Sequence, residues 1–298
     1  MSTIAARIDK PAPPPRPWTR ERFVGWGLVG LWGLIIGGLI LWMFAAWNPE
    51  LFEKYYPKYV SGLIVTLKLV GASIVLGALL SFPLAMMRMS KNRILNGIAY
   101  AYVYFFRGTP LLAQTFLIYY GLGEFRAELE AVGLWGFFKD AWNCGVFAFT
   151  LNTAAYQAEI LRGAIVSVGK GQWEGAASLG LPKWLTFFKV ILPQALVVAL
   201  RPYGNEIILM IKGSAVVAII TVYDLMGETR RAYARSFDFQ TYIWAALIYL
   251  IIVEAIRNLW DVLEKRLTRH LIRRKPAVRA PAFQLWVKAQ LATTETRT

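Results

Sequence analysis

GKGQWEGAASLGLPKWLTFFKVILPQAL, Gly169 to Leu196, is the stretch on which the fold turns. It is polar and punctuated, yet the segments on either side are too apolar for a soluble protein. Gly180 suits the left-handed conformation that closes one helix, and Pro182 suits the first turn of the next. The stretch therefore predicts a helix, a tight turn and a second helix. Trp173, Ala176, Ala177 and Gly180 fall along one side of the first piece, where small residues let another surface approach closely. The second piece runs into Pro193, where the following apolar segment begins. Two physical readings fit this spacing. One is a rigid arm that passes a push from a soluble partner into membrane spans; the other is an amphipathic elbow lying at the membrane interface.

Working outward, the 298-residue chain is 57% hydrophobic and 14% aromatic, with a mean hydropathy of +0.44. That places it in the polytopic membrane class. A span needs about 20 apolar residues to cross a hydrocarbon core roughly 30 Å thick. Six segments qualify: Gly25 to Trp47, Tyr59 to Met87, Ile94 to Gly121, Asn143 to Ala164, Pro193 to Ile211 and Thr241 to Leu263. Six spans put both termini on one side. Lys and Arg outside the spans decide which side, because cytoplasmic loops carry the excess. The two tails, the Arg88 to Arg93 turn and the Arg162 to Lys189 insert hold 21 of them, against seven in the other three loops. Both termini and the quoted insert are therefore expected in the cytoplasm. The net charge of +15 is explained by this asymmetry, so no nucleic-acid partner is expected.

A single cysteine, Cys144, excludes an internal disulfide, and a single histidine, His270, excludes a two-histidine metal site. Cys144 reads as a small buried hydrophobe. His270 reads as a solvated side chain in a basic tail. The first apolar run exceeds a signal-peptide core, so it reads as a retained span. Residues 1–24 are a Pro-rich cytoplasmic tail and residues 271–298 a basic cytoplasmic tail, neither with sustained periodicity.

Glu174-x-Ala176, Gly180 six residues after the Glu, and Leu192-Pro193 resemble the "EAA" loop of ABC importer permeases, which docks into a groove of the ATP-binding subunit. Gly175 and Val190 stand where that family usually has Ala and Ile. FRGTPLLAQTFLIYYG, Phe106 to Gly121, and LNTAAYQAEILRGAI, Leu151 to Ile165, resemble the polar amino acid branch, above all permeases for histidine, lysine, arginine and opines such as octopine. The resemblance implies an all-α ABC type I importer transmembrane domain over residues 59–270, with its coupling loop at 167–192. Residues 25–47 are a first span added to a five-span core. It also implies the partners: a homologous second permease subunit or a second copy, an ABC ATPase dimer, an extracytoplasmic solute-binding protein, membrane lipid and an amino acid substrate. The coupling residues it implies are Glu174, Ala176, Ala177, Gly180, Leu192 and Pro193. Location in a bacterial inner membrane follows. The chain carries no phosphate loop, because Gly169-Lys170 is followed by Gly171; ATP is expected on the partner subunit, with no cofactor or metal and no catalytic residue here.

Ionisable groups inside spans are costly and mark pathways unless paired. They are Lys68, Arg107, Glu159, Arg201, Glu206, Lys212, Glu254 and Arg257. Glu254 and Arg257 are spaced to pair on one helix face. Arg107 opens RGTP, which reads as an architectural kink or a ligand contact. Glu206 follows a Pro and Gly interruption in RPYGN, which reads as a gate or a packing kink. Asn152, Tyr156 and Glu159 stand at i, i+4 and i+7, on one helical stripe. That stripe faces either a neighbouring subunit or a polar cavity, and a carboxylate there matches a substrate ammonium, with Arg162 as the rival partner. Asn152, Tyr156, Glu159 and Glu206 are thus the substrate-pathway candidates. Competing functions are a glutamine or acidic amino acid permease, a secondary transporter, for which inverted repeats are wanting, and an intramembrane enzyme, for which nucleophile and base are wanting.

Overall fold

The computed structural model describes residues 19–45 and 47–269. His270 and most of both tails lie outside the described residues. Among the described residues the chain is helical, with no strand. It divides into two compact units, Met1–Glu53 and Lys54–Thr298. The first holds α1 (Arg20–Ala45), a 26-residue apolar helix with no buried residue. Such a helix, apolar all round, suits lipid better than water.

The second unit takes in most of α2 (Pro49–Arg88) and continues through α3 (Arg93–Gly108), α4 (Leu111–Phe116), the short α5 (Arg126–Ala131) and α6 (Trp135–Phe138), and α7 (Ala141–Ser167). It closes with α8 (Lys170–Ser178), α9 (Lys183–Thr186), α10 (Leu192–Gly213), α11 (Leu225–Ser236) and α12 (Gln240–Thr268). Wider π turns extend α4 through Gly121 and lead α9 into α10, and a 3₁₀ turn follows α10.

α7 is the axis of this unit, with more buried residues than any other helix. Toward its start, Cys144, Ala148 and Phe149 pack with Leu69 and Val70 of α2, Ile118, and Met210 and Ile211 of α10. Toward its end the core is built of alanines: Ala154 and Ala158 meet Ala85, Ala99, Ala195 and Ala199. In lipid there is little hydrophobic gain from pairing helices, so small residues that let backbones approach supply the packing. Gly77 of α2 shows how close that approach is, since a Cβ there would lie 2.5 Å from Thr153.

Among the described residues, four helical stretches are long and apolar enough to cross a membrane: Arg20–Ala45, Pro49–Arg88, Lys183–Ile220 and Gln240–Thr268. The two other expected spans differ for separate reasons. Ile94 to Gly121 is not one helix: it breaks at Thr109-Pro110, both extended. Asn143 to Ala164 lies within one 27-residue helix, but Thr150, Asn152, Thr153 and Gln157, all buried in protein, lower its hydropathy.

Candidate functional site

The quoted stretch folds as a helical hairpin, α8 and α9. Gly180 takes φ +71°, and no atom lies within 4 Å of a Cβ built there. Its N–H donates to the Ala177 carbonyl at 2.9 Å, and the Leu181 N–H to the Ala176 carbonyl at 3.1 Å. This is the pair of bonds that closes a helix over a left-handed residue. Pro182 stands just before α9, at its N-cap, rather than inside the first turn. Ala176 is buried, whereas Glu174, Ala177 and Gly180 are exposed, so the arm is anchored by Ala176 and free along its outer side. Leu179 and Trp184 are 78% and 65% exposed. Both large apolar groups therefore stand open on the hairpin. Leu192 is half-buried and Pro193 exposed at the entry to α10, directly after the π turn over Phe187–Ile191.

The pathway candidates do not form one group. Tyr156 and Glu159 line an open cleft of about 370 Å³ between α3, α7 and the end of α2, with Arg88, Tyr100, Val103, Tyr104, Arg107 and Gly108. Asn152 is buried behind it, where its amide donates to the Phe106 carbonyl at 3.0 Å and to Gln114 Oε1 at 2.9 Å. Gln114 itself donates to the Phe106 and Thr109 carbonyls and to Thr109 Oγ1. These two amides satisfy backbone groups freed by the α3–α4 break, as non-helical backbone at membrane depth requires. Asn152 is therefore a brace for the kink.

Glu206 is also buried, 5% exposed, and accepts from Thr153 Oγ1 at 2.9 Å. Gln157 Nε2 donates to the same hydroxyl at 3.1 Å and to the Ile74 carbonyl at 3.2 Å. A polar chain thus joins α2, α7 and α10. The expected interruption at RPYGN does not occur: α10 runs through Pro202, and the Trp260 ring lies against Gly204 while its Nε1 donates to the Leu200 carbonyl at 2.8 Å. α12 thus packs closely on this side of α10.

Glu159 has both oxygens engaged. Oε1 accepts from Arg88 Nε at 3.0 Å, and Oε2 accepts from Arg162 Nε and Nη2 at 2.9 and 2.8 Å. The protein thus supplies two cations to this carboxylate. Arg88 is positioned by Asn96, which accepts from its Nη1 and donates to its carbonyl, both at 2.8 Å. Its guanidinium also lies 5.0 Å from the Tyr100 ring centroid. Of the remaining charged groups, Glu254 and Arg257 pair at 3.4 Å as their spacing predicts, Arg201 pairs with Glu264, and Lys68 and Lys212 are exposed.

Sequence reasoning missed Arg88, which reads as one more basic loop residue, and the aromatic faces of Tyr100 and Tyr104. It also missed Gln114, Thr153 and Gln157. The polar residues within otherwise apolar runs were the available signal for the last three.

Residues 73–269 match the family described as binding-protein-dependent transport system inner membrane component. The chain is similar to the nopaline transport system permease protein of Agrobacterium fabrum, 40% identical over 223 residues, which are 74% of this chain and 92% of that protein. It is 37% identical to the octopine transport system permease protein of Rhizobium radiobacter, over 73% of this chain and 89% of the relative. Among solved structures, an amino acid ABC transporter crystallised with histidines superposes with a TM-score of 0.67 at 36% identity, over 74% of this chain and 99% of that one.

Proposed function

From the premise that this chain belongs to the family of binding-protein-dependent transport system inner membrane components, we propose that it carries basic or opine-type amino acids into a bacterial cell. It does so as one permease of a complex driven by a separate ATPase dimer. The observation that carries this reading is the 40% identity to a nopaline permease across 92% of that protein's length. The exposed hairpin supports the division of labour: Glu174, Ala177, Gly180, Leu179 and Trp184 offer a docking surface for an ATP-binding subunit. ATP is bound on that subunit. A second permease, homologous or identical, and an extracytoplasmic solute-binding protein complete the assembly in the inner membrane. Both termini and the hairpin face the cytoplasm, on the basic-residue asymmetry.

The α3–α7 cleft is the part of the pathway that this chain contributes. Tyr156 and Glu159 line it directly. Glu159 holds Arg88 and Arg162 in place rather than waiting for a substrate ammonium, and Asn152 and Glu206 keep the walls in register from behind. Reconstitution tests the proposal: the purified complex with its binding protein in proteoliposomes, assayed for ATP-dependent uptake of arginine, histidine, octopine, nopaline, glutamine and glutamate. Uptake of basic or opine ligands is expected. Uptake confined to glutamine or glutamate overturns the substrate assignment.

A further inference from the structure

The turn between α2 and α3 builds a groove of its own, chemically unlike the α3–α7 cleft. Ser90, Lys91, Arg93, Asn96, Gly97 and Tyr100 line about 380 Å³ there, so the lining carries two cations and no carboxylate. The turn is pinned by its own polar groups. Asn92 Oδ1 accepts from the Ile94 and Leu95 N–H groups at 2.9 and 3.4 Å, its N–H donates to Ser90 Oγ at 3.1 Å, and Asn96 Nδ2 donates to the Arg88 carbonyl at 2.8 Å. Lys91 and Arg93, by contrast, are exposed, and among the described residues neither makes an ion pair. The neighbouring Arg88 charge is already spent on Glu159. Two unpaired cations on a pinned turn call for an anion.

The helix that starts at this turn narrows the kind of anion. Arg93, Gly97, Tyr100 and Tyr104 share one stripe of α3, and Ile94, Ile98 and Phe105 share the stripe beside it. Those three apolar side chains are 72%, 57% and 45% exposed. From Ile94 to Phe105 the helix rises about 16 Å, close to half of a hydrocarbon core roughly 30 Å thick. A basic groove beside an apolar stripe one leaflet long has the layout of a phospholipid, with phosphate at the head and an acyl chain alongside. A soluble anion makes no use of the stripe. A zwitterionic lipid brings its own cation to a groove that has no carboxylate to receive it.

We propose that this groove binds the headgroup of an anionic phospholipid of the phosphatidylglycerol type, with Lys91 and Arg93 on its phosphate and one acyl chain along Ile94, Ile98 and Phe105. The basic-residue asymmetry puts the turn at the cytoplasmic face, where basic clusters beside spans meet anionic headgroups. The choice of leaflet rests on the topology given under the proposed function; the groove itself does not.

Native mass spectrometry tests it, with the purified permease–ATPase complex titrated in detergent with phosphatidylglycerol and the Kd of the tightest lipid read out. Wild type is expected to prefer phosphatidylglycerol to phosphatidylcholine. Each cation removed beside a headgroup weakens binding about fivefold, so Lys91→Gln combined with Arg93→Gln is expected to cost about 25-fold. Both side chains are exposed and unpaired, so the variant keeps its fold. Ile98→Ser is expected to weaken the lipid as well, and soluble glycerophosphoglycerol, which lacks acyl chains, to compete poorly. Lys265→Gln combined with Arg266→Gln removes two other exposed cations from α12 as a control, with a change below twofold expected. Equal losses in the two double variants mean diffuse attraction and overturn the proposal. So does wild-type affinity after loss of Lys91 and Arg93, and so does strong competition by glycerophosphoglycerol, which makes the groove a free-phosphate site. Loss of the ATPase subunit with lipid binding intact overturns it in favour of a protein-docking patch. Labelling of Lys91→Cys from outside intact cells refutes the leaflet, and a complex without transport refutes the functional reading; neither alters the lipid titration.

Discussion

Replacing Gly180 with alanine isolates one physical quantity, the cost of a left-handed residue at the tip of the hairpin. The position has φ +71°, and a Cβ there meets nothing within 4 Å. Steric overlap with the rest of the protein therefore contributes nothing, and the whole effect is conformational. An L-residue in the left-handed region costs about 1–2 kcal/mol. If the chain escapes that cost by changing φ, it forfeits the bonds from Gly180 N–H to the Ala177 carbonyl and from Leu181 N–H to the Ala176 carbonyl. The ratio of the hairpin shape seen here to its alternatives falls by about 5- to 30-fold, and a partner that recognises this shape binds more weakly by up to that factor. The assay is biolayer interferometry of the ATPase dimer on nanodisc-embedded permease. Gly180→Ala is expected to raise the Kd within that range, and Gly180→Asn by less, because asparagine tolerates the left-handed region. Equal affinities for Gly, Ala and Asn, within twofold, refute the reasoning.

Three further expectations follow from other parts of the chain. Single-cysteine labelling from outside intact cells should mark position 128 (Glu128→Cys) and spare position 170 (Lys170→Cys); the reverse pattern overturns the topology. Glu159→Gln leaves Arg88 and Arg162 without their shared anion at a site where the carboxylate is 14% exposed. Removing one partner of a partly buried pair should lower stability by about 1–3 kcal/mol, seen as a lower melting temperature that Arg88→Gln partly restores; no change in melting refutes the bridging role. Asp224, at the start of α11 and outside the spans, accepts from the Gly227 N–H at 2.8 Å, and burial pushes its pKa up to about 6. The folded chain thus holds that proton more tightly than the unfolded one. Its contribution to stability is complete below the usual carboxylate pKa and is lost as pH rises through about 6. Melting temperature should fall between pH 5 and 7, and Asp224→Asn should flatten that slope; an unchanged slope refutes the assignment.

The hairpin was legible because its determinants are local. Gly180 needs a left-handed turn, Ala176 fits a close approach, and Pro193 marks an entry to the next helix; each depends on neighbours within one or two turns. The apolar spans were legible for a similar reason, since lipid imposes a length on any run that crosses it. The stripe of Asn152, Tyr156 and Glu159 was read correctly as one face of a helix, but a face is an angular property and not an environment. Across that face lie the α3–α4 break at Asn152 and the open cleft at Tyr156 and Glu159. The uninterrupted α10 was missed because Pro202 and Gly204 read locally as a break, whereas Gly204 serves a close approach by Trp260, which also bonds the Leu200 carbonyl 60 residues back.

The sequence by itself determined that this chain spans a membrane, displays a polar helical hairpin and belongs among importer permeases, because apolar length, turn chemistry and motif spacing are written in consecutive residues. Tertiary structure alone decided which charges are spent and which are spare. Arg88 and Glu159 are 71 residues apart, and they meet only because α2 and α7 pack side by side along a seam of glycine, alanine and threonine. Coulomb attraction falls with distance through space and takes no account of distance along the chain. The same packing that satisfies Glu159 twice sets the Arg107 guanidinium over the Tyr156 ring.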